Sequence, residues 1–154
     1  MDKQRSSRTC LLCGQQNPIG LHISWFNDRS TQQVRATVVV PEHFNGYPGI
    51  VHGGIVAALL DETAGRAVAL HDDDNLMVTL KLEVSYRRPT PTGEPLTLVG
   101  WVVRSGESRA KVAGEIRLAD GLVSAEGEAI LARPSQEFVR RWEPEKPFWR
   151  VYDD

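Results

Sequence analysis

Two adjacent carboxylates, Asp61 and Glu62, follow the apolar run GIVAALL, which itself follows His52-Gly53. At about 100° per residue, Gly54 and Asp61 are seven positions apart and share one helix face. Asp61 lies too far along such a helix to cap its start or to gain much from the dipole. A carboxylate in that half-buried setting must be satisfied by hydrogen bonds or put to use. At the other end, Gly53 and Gly54 carry no side chains, so a substrate atom can approach the N–H groups of the first turn. Those donors have no acceptor inside the helix, and the positive end of the dipole suits a developing oxyanion. Oxyanion donors at one end and a carboxylate two turns on are the parts needed for acyl transfer to water. The same residues also fit a tight turn into a helix followed by a solvated acidic edge, and on spacing alone both readings stand.

The elements that must position these groups are legible in outline. Leu21–Asn27 and Gln33–Val40 read as strands. A Gly/Pro-rich loop runs from Pro41 to Gly49, and helix formers dominate from Gly54 to about Leu70. Four further strand-like runs follow, Met77–Arg88, Pro95–Ser105, Arg109–Ala119 and Leu122–Arg133, and their short connections suggest a meander. The tail after Arg133 predicts one short helix before Pro144 and then irregular chain. One largely apolar helix must fill the buried face of an antiparallel sheet, which predicts α+β architecture with a sheet curled around a helix. Such a sheet leaves an edge strand that could pair with a second chain.

Composition narrows the function. The 154 residues fit one domain, with 41% hydrophobic and 25% charged residues and a formal net charge of −2. No basic field marks the chain for nucleic acid, no apolar run has membrane-spanning length, and no secretory signal opens it. Two cysteines make no disulfide framework, and the cytoplasm is the expected location.

The strand order around one helix, with GIVHGG at Gly49–Gly54 and LLDE at Leu59–Glu62, resembles the hotdog-fold thioesterases. It is most similar to their PaaI-like branch over about residues 17–133. The most specific part is His52-Gly53-Gly54 with Asp61, followed by a strand ending Tyr86-Arg87-Arg88-Pro89. The resemblance implies a hotdog fold, an antiparallel sheet of about six strands wrapped around one long helix. Residues 1–154 would form one domain with a lead-in (1–20) and a tail (134–154). It implies that Asp61 acts on an acyl-CoA thioester as nucleophile or general base. The N–H of Gly53 or Gly54 would polarise the carbonyl, with His52 supporting the loop and Thr79 placing the water. Asn45 would face the carbonyl across a homodimer, and two such dimers could pair as a dimer of dimers. Glu62, about 100° around the helix from Asp61, is assigned a supporting, substrate-side role. Arg87 and Arg88 would meet the phosphates of coenzyme A, with Arg104 and Arg109 as further candidates. Neither cofactor nor metal is implied.

Other features carry less. Cys10-x-x-Cys13 is half of a zinc-ribbon pattern, which His22 or His43 could complete only through a chance of folding, and no basic neighbour suggests a reactive thiol. His71 with Asp72, Asp73 and Asp74 reads as a solvated helix end, because a calcium loop needs longer spacing and a glycine turn. Trp142, Phe148, Trp149 and Tyr152 are expected to pack on the body or on a partner chain, or to cover the nucleotide of coenzyme A. Two rival functions are an acyl-CoA-binding sensor without turnover and a hotdog dehydratase. The dehydratase reading loses its acid, since fourteen residues after His43 stands Ala57.

Overall fold

Alternation builds the sheet. In β3 (Gln33–Val39), Val34, Ala36 and Val38 are buried while Thr37 and Val39 are exposed, the period of a strand with one covered face. The computed structural model describes residues 1–153. Within them β1 (Asp2–Lys3), β2 (Phe26–Asp28), β3, β4 (Val78–Tyr86), β5 (Pro95–Ser105), β6 (Arg109–Arg117) and β7 (Val123–Ala132) form one antiparallel sheet. Its order is β1-β2-β3-β5-β6-β7-β4. The central helix α1 (Gly53–Arg66) packs on β3 to β7, and Leu59 and Leu60 are buried together with Trp25, Leu96, Leu98 and Ile116. A 3-10 turn at Ala67–Ala69 continues α1. Ala, Leu and Val carry the helix to its expected length, and only the last turn tightens.

A row of glycines lets α1 lie directly on the sheet. Gly100 pairs with Gly114, and Gly114 with Gly127, across three strands. A Cβ on Gly100 would stand 2.4 Å from the Thr63 carbonyl oxygen, and one on Gly127 would stand 3.5 Å from the Leu60 Cβ. Side chains there would lift the helix off the strands.

Three expectations are corrected. The sheet has seven strands, because the polar start supplies β1. The chain from Leu21 to Trp25 is not strand: Leu21 and Ile23 donate to the carbonyls of Leu11 and Leu12, and His22 takes a left-handed φ of 51°. The last four strands are also not a simple meander, because β4 pairs with β7. Pro89 and Pro91 deny a tight hairpin after β4. Residues 87–94 instead cross the end of the sheet, with Val51 donating to the Thr90 carbonyl and Gly93 to that of Val40. Three strand spacings are about 14 Å, well within the reach of eight extended residues, about 26 Å.

The tail folds back over the lead-in. α2 (Gln136–Trp142) starts where the Ser135 hydroxyl accepts from the Phe138 N–H, and a 3-10 stretch (Glu143–Phe148) replaces the irregular chain expected after Pro144. Arg8 grips Glu145 with two hydrogen bonds of 2.8 and 2.9 Å and stacks on Phe148. No helix among the described residues is long and apolar enough to cross a membrane.

Candidate active site

His52 caps α1. Its Nδ1 accepts the Gly54 N–H at 2.9 Å, and its carbonyl accepts from both Ile55 and Val56. Of the first four N–H groups, that of Gly53 alone makes no hydrogen bond among the described residues. The two glycines therefore separate: Gly54 is occupied by the cap, and Gly53 keeps the open donor. A Cβ on Gly54 would crowd His52 Nδ1 at 3.1 Å, so the cap itself calls for glycine. The Tyr86 hydroxyl donates to the Gly53 carbonyl at 2.6 Å. Around this helix start opens a cleft of about 710 Å³, lined by Gly46, Tyr47, His52, Gly53 and Tyr86 to Thr90.

The crossing segment brings both predicted arginines to that cleft. Arg87 is paired with Glu126, whereas Arg88 makes no ion pair among the described residues. Asn45, one residue before the cleft-lining Gly46, keeps a buried Oδ1 without a hydrogen-bond partner. Arg104 and Arg109 line neither this cleft nor the cavity that holds Asp61.

Asp61 lies elsewhere, half-buried on the flank of α1. The Thr79 hydroxyl donates to Asp61 Oδ1 at 2.8 Å, as β4 runs alongside the helix. The pair faces a cavity of about 350 Å³ that also holds Glu62, Cys10, Cys13, Met77, Trp142 and Trp149. Eight residues of helix separate Gly53 from Asp61, an axial rise of about 12 Å. In one chain, the open N–H and the carboxylate thus face different cavities and cannot meet the same carbonyl.

Glu62 lines the same cavity as Asp61 and is tied to the lead-in and to Arg66. Its Oε1 accepts from Arg66 Nε at 2.9 Å, and the Cys10 thiol lies 3.5 Å from its Oε2. Arg66 is buried, stacks on Trp25 at 4.6 Å and donates to Gln4 and to the Arg5 carbonyl. In the sequence Arg8 stands two residues before Cys10, and folding sets a second cation, Arg66, beside Cys13. A hydrogen bond from Cys13 lowers the Cys10 thiol to about 7, and the same bond with burial pushes Cys13 upward.

Sequence reasoning missed the Tyr86 hydroxyl, the tryptophan wall of the Asp61 cavity and the joining of Glu62 to the cysteines. The first lay inside the quoted Tyr-Arg-Arg-Pro run. The other two depend on where the lead-in and tail fold back, and no periodicity marks that.

Comparison with known proteins identifies the family and the fold. Residues 48–125 match the profile of the thioesterase superfamily. A candidate esterase of Caenorhabditis elegans is 36% identical over 96 residues, 62% of this chain and 56% of the relative. An acyl-coenzyme A thioesterase of Rattus norvegicus, THEM4, is 23% identical over 129 residues, 84% of this chain and 52% of that protein. The chain thus spans little more than half the length of these relatives. A crystal structure of a thioesterase superfamily protein superposes with a TM-score of 0.74 at 34% identity, covering 81% of this chain and 63% of the other. The helix gripped by a sheet is the hotdog fold.

Proposed function

The chain belongs to the thioesterase superfamily, and from that premise we propose that it hydrolyses an acyl-CoA thioester to the free acid and coenzyme A. The observation that carries this reading is the Thr79 hydroxyl bonded to Asp61 in a cavity beside the central helix. The kinship with THEM4, named as an acyl-coenzyme A thioesterase, favours the same substrate class.

The site needs two chains. Because Gly53 and Asp61 of one helix are about 12 Å apart, a two-fold partner brings its Gly53 N–H to the Asp61 of the first chain. The unpaired outer edge of β4 offers the surface for that pairing. The thioester carbonyl then accepts from Gly53 N–H, with Asn45 as a second donor beside it. A water is held between Asp61 and the lone pairs of Thr79 Oγ1, whose own proton is committed to Asp61. Asp61 takes the water's proton as hydroxide adds to the carbonyl carbon. The tetrahedral oxyanion is stabilised at the helix start, and it collapses with loss of the coenzyme A thiolate. Arg88 carries a free cation at the cleft for the phosphates, while Arg87 would first have to leave Glu126.

The test is release of free thiol from a panel of short-chain, medium-chain and aryl-CoA thioesters. Wild type is expected to turn over at least one class. Asp61→Asn, with an unchanged circular dichroism spectrum, should lose about 10²- to 10⁴-fold in rate. Full activity in Asp61→Asn, or binding of every thioester without thiol release by wild type, would overturn the proposal.

A further inference from the structure

We propose that Cys10, Cys13 and Glu62 form a binding site for one zinc-type divalent cation, separate from Asp61 and independent of the hydrolase reading. The ligand atoms of these three residues all lie within 4.8 Å of one another, and Asp61 is not among them. The backbone around the cysteines is shaped as a metal-binding knuckle. Gly14 N–H closes a turn on the Cys10 carbonyl at 2.9 Å, and Leu12 N–H points at Cys10 Sγ at 3.3 Å. Only glycine fits after Cys13, since a Cβ on Gly14 would stand 2.3 Å from the Cys10 carbonyl oxygen. The turn thus aims both sulfurs inward and leaves a backbone donor on one of them.

The third ligand comes from a different element at the right distance. Cys10 Sγ lies 3.5 Å from Glu62 Oε2. In a tetrahedral zinc site, with Zn–S about 2.3 Å and Zn–O about 2.0 Å, neighbouring sulfur and oxygen ligands stand about 3.5 Å apart. The spacing that now serves a weak S–H···O contact is that of two ligands on one ion. The other oxygen of Glu62 is fixed by Arg66 Nε at 2.9 Å, the outer bracing that a ligating carboxylate needs. The Ser7 hydroxyl lies 3.8 Å from Cys13 Sγ and braces the second sulfur.

Charge and room also fit. Two thiolates and one carboxylate carry three negative charges, which a dication and the buried Arg66 guanidinium balance. Binding exchanges two thiol protons for one dication, so the net charge of this half-buried site does not change. The fourth position opens into the cavity of about 350 Å³, where water can complete the tetrahedron. Two thiolates with one carboxylate select zinc or a similar borderline ion over magnesium or calcium. The ion would pin the lead-in to α1.

Cobalt(II) reports on it directly. The full chain, reduced and freed of metal with a chelator, is titrated with Co²⁺ and then with Zn²⁺. One Co²⁺ per chain should bind, with thiolate-to-cobalt charge-transfer absorption, and Zn²⁺ should displace it and shield both thiols from alkylation. Cys10→Ser and Cys13→Ser should each abolish that absorption. Glu62→Gln should weaken binding by about 10- to 100-fold, and Asp61→Asn should leave it unchanged. Absence of the absorption in folded wild type whose two thiols titrate freely would overturn the assignment, and this readout needs no variant. So would persistence of the absorption in either cysteine variant, or weakening by Asp61→Asn in place of Glu62→Gln. None of these outcomes depends on thioester turnover.

Discussion

Thr79 and Asp61 stand 18 positions apart in the chain and 2.8 Å apart in the fold, joined through one hydroxyl proton. If that hydroxyl positions the water, its loss should act on turnover rather than on substrate capture. Thr79→Ala is expected to lower kcat by about 10- to 100-fold with KM nearly unchanged, and Thr79→Ser to recover most of the rate. Steady-state kinetics of both variants on one acyl-CoA checks this, and an equal loss in the two would assign the threonine methyl the larger part. Asp61 and the His-Gly-Gly run were legible in the sequence because both depend on local chemistry: a carboxylate on an apolar helix, and donors at its start. The division between the glycines was not legible, because it depends on which way the His52 ring turns. The contact of Glu62 with Cys10 was hidden for a similar reason, since it forms only when the lead-in folds onto the helix.

At the scale of elements, hydrophobic alternation located β3 to β7 within a few residues, but it is blind to which strand lies beside which. The placing of β4 next to β7 is settled by Pro89 and Pro91 and by the hydrogen bonds of the crossing segment. The same segment carries Arg87 and Arg88 to the helix start. The glycine row sets the height of α1 above the sheet, and two substitutions test it with opposite signs. Gly100→Ala places a methyl 2.4 Å from the Thr63 carbonyl oxygen and is expected to cost about 1–3 kcal/mol. For a chain of this size each kcal/mol lowers Tm by about 2–4 °C. Gly65→Ala, on α1 itself and outside the row, meets nothing within 4 Å and is expected to raise stability by about 0.4–1 kcal/mol. Thermal melts of the two variants beside wild type read the difference.

At the scale of the whole molecule, the proposed mechanism would make activity a property of two chains, and mixing tests it. Asp61→Asn removes the base, and Gly53→Pro removes the open N–H at a first-turn position where proline is tolerated. Each variant alone is expected to be inactive. After co-refolding in equal amounts, half of the pairs are mixed and each mixed pair holds one complete site, so about a quarter of wild-type activity should return. Thiol release from the mixture measures it, and no recovery above the separate variants would place the whole site within one chain.

The pairing of β4 with β7 also has a consequence in time. Tyr86 ends β4 and Val123 opens β7, 37 positions later. At a synthesis rate of about 5–20 residues per second, β4 leaves the ribosome about 2–7 s before its partner exists. Through that interval both of its backbone edges are bare, and a bare strand invites wrong partners. Lys81 and Glu83, exposed and ion-paired at 2.8 Å in the middle of the strand, keep it charged through that interval. Neutralising both should show first as a lower yield of soluble chain, before any change in the folded protein.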